Sequence, residues 1–334
     1  FIGAYSWIML LGRNGFITNL VRHIGIEIPT IYGFRGLILV FTLKLFPFIY
    51  MYVQGALQTF DSSLEEAAEN LGVHGLKKLL TVTFPLIMPT ITAGAVVVFM
   101  TSLADLGTPM LIGEGYKVLP VLVYEEYMSE IGGNATMAST LSVIIILCSL
   151  SVLLLQKISI GKRSYSMSGL RPPAVKKLGK LPFVVLTILC YFIALCALAP
   201  QITTMVTSFI KTRGPLFVPG FSLESYRSVW FKLSANIART FLYSTIAMMF
   251  MILIGMFTSY VIVRRKSSIT NILDFVLMSP YVIPGSVLGI ILVMAFNKPP
   301  VVLTGTAAIM IISYTIRKIP YIIRSSTGIL YQLD

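Results

Sequence analysis

The sequence predicts an all-α fold, a polytopic membrane helix bundle built from two tandem repeats. Three observations predict it. The chain has 334 residues, 56% of them hydrophobic and only 12% charged, with a mean hydropathy of +0.86; soluble domains carry about 25% charged residues. Its apolar residues fall in long runs, and about 20 such residues cross a bilayer as a helix. One apolar segment near the start recurs near the end at an offset of 273.

The runs predict seven full spans, at 34–58, 86–108, 136–156, 182–210, 238–263, 272–296 and 301–323, with 1–12 as the tail of another. Several contain proline, notably Pro47, Pro89, Pro200, Pro284 and Pro320. Such breaks survive in lipid only where neighbouring helices or a water-filled cavity satisfy the freed backbone groups. That favours a transporter or channel over a simple anchor.

A net charge of +13 could suit nucleic acid, but the cations cluster between apolar runs. Residues 157–180 hold Lys157, Lys162, Arg163, Arg171, Lys176, Lys177 and Lys180 with no acid, and residues 264–266 read Arg-Arg-Lys. Short basic loops face the cytoplasm, so these two loops and 59–85 are expected inside, and 109–135 and 211–237 outside. The 109–135 loop fits, with Glu114, Glu125, Glu126 and Glu130 against Lys117; the 211–237 loop, with Lys211, Arg213, Arg227 and Lys232, fits less well. Nucleic acid is therefore not an expected partner. The segment 157–181, with Ser, Gly and Arg171-Pro172-Pro173, reads as a flexible linker between two membrane bundles. Cys148, Cys190 and Cys196 lie in apolar runs without metal spacing and are expected to be small packing residues.

The recurrence pairs Phe41–Tyr50 with Tyr314–Ile323. Thr42 falls on Thr315, Lys44 on Arg317, Pro47 on Pro320 and Asp61 on Asp334. Internal repeats of this kind mark transporter halves. The division expected is 1–156 for the first repeat, 157–181 for the basic linker and 182–334 for the second repeat. The chain begins without Met inside an apolar run and stops at Asp334. The repeat therefore predicts a longer parent, continuing with a second acidic-Ala-Ala loop and two more helices.

Residues 61–89 contain Asp61, Ser62, Ser63, Glu65, Glu66, Ala67, Ala68, Gly72, Lys77, Lys78 and Pro85. They predict a short amphipathic helix, a turn and a second helix. Ser62 or Ser63 would cap the first helix, with Glu65 or Glu66 completing a capping box. Ala67 and Ala68 favour helix and leave a smooth face, and Gly72 suits the left-handed residue that ends it. Lys77 and Lys78 are expected near the membrane surface, with Pro85 starting the return to lipid.

This segment resembles the EAA loop of permeases of binding-protein-dependent ABC importers, in which Glu-Ala-Ala, three residues, Gly, nine residues and Ile-x-Leu-Pro follow one another. Here Glu66-Ala67-Ala68, Gly72 and Val82-Thr83-Phe84-Pro85 keep the spacing, with Val for Ile and Phe for Leu. Leu103-Ala104-Asp105-Leu106-Gly107-Thr108-Pro109 is similar to the Asp-Phe-Gly-x-Pro run of fused two-repeat permeases for ferric iron and related solutes. Gly3–Trp7 and Leu10–Gly15 look like the same subgroup.

The resemblance implies a type I ABC importer permease in the bacterial cytoplasmic membrane. The chain would supply helix 3 (its tail) to helix 6 of one repeat and helices 1 to 4 of the next. It implies that Glu66 contacts an ATPase dimer, that Ala67 and Ala68 allow close approach, that Gly72 forms the turn, and that Val82, Phe84 and Pro85 complete the motif. It also implies a periplasmic or lipid-anchored solute-binding protein as a partner. ATP and Mg would sit on the ATPase, since the chain has no phosphate-binding Gly-x-x-x-x-Gly-Lys-Ser/Thr loop, and no cofactor of its own is expected. Ferric iron is the first choice of cargo; phosphonate, polyamine, thiamine and sugar phosphate importers have similar permeases.

No catalytic or metal-ligating set is expected: there is no His-Glu-x-x-His or Gly-x-Ser-x-Gly, and His23 and His74 fall in loops on opposite sides. Charges at membrane depth default to functional candidates. Lys44, Asp105 and Arg317 are therefore candidates for the translocation pathway. Against that, Asp105 could simply end its helix, and Lys44 and Arg317 could snorkel or pair with Asp105 or Asp274. An ion-coupled secondary transporter would share the broken helices and the repeat but not the EAA spacing. A non-transporting scaffold would tolerate changes at Lys44 and Arg317.

Overall fold

The computed structural model describes residues 2–58, 60–129, 133–161, 179–214, 216–265 and 267–330. Most of the basic linker (162–178), with Glu130, Lys266 and Asp334, lies outside them. The described residues are overwhelmingly helical. Five helical runs are long and apolar enough to cross a membrane: Phe34–Gln58, Gly75–Leu103, Ala135–Gln156, Lys180–Ser208 and Glu224–Arg264. The chain is therefore an all-α polytopic membrane protein, as its composition requires.

Two compact units divide the described chain: 1–117 with 148–204, and 118–147 with 205–334. The first holds α1 (Ile2–Leu11), α2 (Phe16–His23), α3 (Phe34–Gln58), α4 (Ser62–Asn70), α5 (Gly75–Lys78), α6 (Phe84–Leu103) and α7 (Gly107–Ile112). Its core gathers Ala4, Trp7 and Leu10 of α1, Leu37 and Val40 of α3, Ile31 and Ile112. Helices α3 and α6 approach closely where α6 carries Gly94; a Cβ there would lie 3.1 Å from the Tyr52 ring. Small residues of this kind let membrane helices pack by dispersion where no hydrophobic drive exists.

The second unit holds α8 (Leu119–Met128), the antiparallel strands β1 (Ile210–Arg213) and β2 (Leu216–Phe221), α11 (Glu224–Arg264), α12 (Ser268–Val282), α13 (Gly285–Ala295) and α14 (Ala307–Leu330). Between them in sequence, α9 (Ala135–Gly161) and α10 (Lys180–Ser208) each contribute to both units. Helices α11 and α14 pack through Gly255 and Ser259. A Cβ on Gly255 would come within 2.7 Å of Ile322 Cγ2, and the Ser259 hydroxyl donates to the Gly255 and Ile323 carbonyls at 2.7 and 3.3 Å.

Several expectations need correction. The span expected at 272–296 is two helices, because Pro284 has no N–H to donate and holds Ile283 extended at φ −78°, ψ 124°. Pro47, Pro89, Pro200 and Pro320 lie inside continuous helices. The span expected at 301–323 begins later, at Ala307, after Pro299-Pro300 and a left-handed Gly305 at φ +81°. It runs on to Leu330 and carries Arg317, Lys318 and Arg324. The span at 238–263 lies within the 41-residue α11, about 62 Å long at 1.5 Å per residue, twice the ~30 Å hydrocarbon core. The supposed outer loops contain α7, α8 and the β1–β2 hairpin. Of the three cysteines expected to be packing residues, Cys148 and Cys190 are exposed and Cys196 is partly buried.

The offset of 273 maps Phe34, the first residue of α3, onto Ala307, the first of α14, and Pro47 onto Pro320 at the same depth in each helix.

Candidate functional site

Residues 61–85 fold as a helix, a turn and a second helix that runs into the membrane. The first-turn donors of α4 are met by Asp61, whose carboxylate accepts the Ser63 N–H at 3.0 Å. The cap is thus Asp61, not Ser62 or Ser63 as expected; a carboxylate there also complements the positive helix end. Gly72 ends α4. It adopts φ +79°, and its N–H reaches the Glu69 carbonyl at 3.0 Å while that of Val73 reaches Ala68 at 3.0 Å. This double closure is the Schellman motif, which favours glycine because other side chains are strained at positive φ.

The chain then turns through His74 into α5 and a π-helical turn, Leu79–Thr83, which leads straight into α6. The π-turn has a local cause. Pro85 has no N–H to donate, so the regular ladder fails here, and the Phe84 N–H instead donates five residues back to Leu79. The membrane-length run that contains α6 begins at Gly75, so α4 precedes it in the chain.

Helix α4 has two distinct faces. Glu66 and Ala67 are exposed, whereas Ala68 is buried at 7%. Glu65 and Glu69, one turn apart on the inner face, both accept hydrogen bonds from the Lys78 ammonium, at 2.7 and 2.9 Å. The Thr83 hydroxyl adds a bond to Glu65 at 3.4 Å. The Lys78 side chain is only 9% exposed, although its neighbour Lys77 faces solvent. Among the remaining motif residues, Val82 is partly buried and Phe84 and Pro85 are exposed.

Lys78, expected near the membrane surface together with Lys77, turns its ammonium back onto α4 instead of into solvent. Sequence reasoning gave Glu65 and Lys78 other roles and passed over Glu69. The i, i+4 spacing of the two acids was visible, but their partner is brought to them only by the turn at Gly72.

Of the three candidate pathway charges, the structure brings two together. Lys44 of α3 forms an ion pair with Asp105. The other Asp105 oxygen accepts the Thr108 N–H at 2.9 Å, so Asp105 both closes the break between α6 and α7 and holds α3. Arg317, in the second unit, lies over Gly285 at the start of α13, where a Cβ would collide with its guanidinium. Asp274 pairs with Arg324 at 3.5 Å rather than with Lys44 or Arg317. Along α3 from Phe41 to its end at Gln58, a groove of about 990 Å³ opens between α3 and α6, apolar except for Thr42, Tyr50, Gln54, Gln58 and Ser102.

Residues 5–164 match the family model described as the binding-protein-dependent transport system inner membrane component. This stretch is a permease domain of that family. The permease domain holds the whole of the loop described above. Over its full length the chain is 29% identical to the putative ferric transport system permease protein FbpB 1 of Haemophilus influenzae, covering 54% of that protein. It is 28% identical over its full length to the ferric transport system permease protein FbpB of Actinobacillus pleuropneumoniae, covering 50% of it. A molybdenum transport system permease protein, ModB of Haemophilus influenzae, is 29% identical over 47% of the chain and 69% of its own length. The chain thus spans about half the length of the ferric-type relatives it matches. No solved structure gives a significant match.

Proposed function

We propose that this permease is the membrane-spanning subunit of an ATP-driven, binding-protein-dependent importer, that α4 is its docking element for the ATPase, and that its cargo is ferric iron. The observation that carries the reading is the division of α4. Its inner face is fastened to the base of a membrane helix, and its outer face offers Glu66 and Ala67 to a partner. A short helix so mounted suits a cleft on a second protein, with Ala67 allowing close approach and Glu66 a polar contact. Closure of an ATPase dimer would move α4, and through it α6, shifting the balance between outward and inward states. Such a shift requires contacts that differ between the two states.

A solute-binding protein would deliver the cargo to the outer loops, and ATP and Mg would stay on the ATPase. The ferric assignment is supported by the full-length alignment with two ferric transport permeases, against a partial one with the molybdenum permease. The division into two repeats is supported by the matched starts and prolines of α3 and α14. Lys44, Asp105 and Arg317 are then the charges nearest the route of the cargo in each half.

The test uses the full-length parent with its ATPase and binding protein in proteoliposomes. ATP-dependent uptake of radioactive ferric iron is expected, and Glu66→Lys should lower both uptake and ATPase retention at least about tenfold, since a misplaced charge at a docked contact costs about 1.4 kcal/mol or more. Molybdate uptake without iron uptake would reject the cargo. Uptake without an ATPase would reject the importer and favour an ion-coupled carrier.

A further inference from the structure

We propose that Lys78 is a positioning residue: its clasp on Glu65 and Glu69 makes the docking helix α4 and the head of the membrane helix α6 a single lever. This rests on the reading of α4 as the docking helix and adds the route by which its displacement enters the membrane.

Three observations carry it. The covalent route from α4 to α6 runs through Gly72 and Gly75, both at positive φ (+79° and +59°) with nothing within 4 Å of where a Cβ would stand. A turn of two unbuttressed glycines absorbs a push rather than passing it on. The non-covalent route is short and stiff by comparison. Lys78 holds two acids on adjacent turns of α4 at 2.7 and 2.9 Å, and Thr83 reaches one of them at 3.4 Å from inside the π-turn that opens α6. Hydrogen bonds between charged groups are the strong ones. Finally, the ammonium is buried while the long lysine stem could have carried it to solvent, as that of Lys77 does. Glu66 and Ala67, on the opposite face, take no part, so docking and transmission use different residues of one nine-residue helix.

The lever predicts a separation of functions. In the full-length complex, Lys78→Met should leave the ATPase bound and hydrolysing ATP, while solute taken up per ATP falls about tenfold, the scale of losing a charge-assisted hydrogen bond. Glu65→Gln combined with Glu69→Gln keeps the shape of α4 and neutralises the partners, and should give a similar loss. All three changes together should be no worse than either set, because they cut one link. A ratio unchanged in both variants, losses that multiply in the triple variant, or ATPase release by Lys78→Met would each overturn the lever. Full ATPase retention by Glu66→Lys would instead overturn the docking reading beneath it.

Discussion

Gly72 shows what a single residue does in this loop. Its φ of +79° is required by the turn, and nothing surrounds the place where a Cβ would be. Gly72→Ala therefore meets no clash and costs only the left-handed strain, about 1 kcal/mol. Gly72→Pro cannot reach that φ at all and loses the N–H bonded to Glu69. The expected outcome is near-normal uptake for the alanine variant and lost uptake for the proline variant, with both recovered from membranes in normal yield. Equal uptake by the two would show that the turn plays no part. Gly72 and the exposed Glu66 and Ala67 were legible in the sequence because motif spacing and turn chemistry are local. The Asp61 cap was half legible: the acid was visible, but two serines competed for its place. Lys78 was not legible, since its thirteen-residue reach to Glu65 depends on the path of the intervening turn.

At the scale of elements, hydropathy located the long helices because burial in lipid leaves a compositional trace that does not depend on neighbours. It failed where length and composition diverge. Pro284 splits an apolar run into α12 and α13, whereas Pro47 and Pro320 do not split theirs. Proline alone does not decide the outcome: Pro284 is followed directly by Gly285 and preceded by Pro280, whereas Pro47 and Pro320 are flanked by bulky apolar residues. Helices α7 and α8 and the hairpin are short and carry little periodic signal. Packing between α11 and α14 gives an element-scale prediction. Gly255→Val drives side-chain atoms into Ile322 and should destabilise the purified protein by about 1–3 kcal/mol, seen as a lowered melting temperature in detergent. Gly289→Ala in α13, with open space around it, should leave the melting temperature unchanged or raise it. A Gly255→Val melt at the native temperature would contradict the close approach of the two helices.

For the whole molecule, the division of labour is between a lipid-solvated bundle and one small polar device at the foot of α6. The class of protein was legible because both features are written in sequence, one as composition and the other as spacing. The cargo was not legible, because among the described residues no group of metal-ligating side chains gathers and the ferric assignment leans on relatives. The two faces of α4 allow the central claim to be tested by position. In a full-length parent lacking its native cysteines, single cysteines are placed at Ala67 and Ala68 and treated with a short bifunctional cross-linker in native membranes holding the ATPase. Docking through the outer face of α4 predicts a permease–ATPase product from the exposed position 67 and little or none from the buried position 68. No product from position 67, or equal products from both, would contradict it.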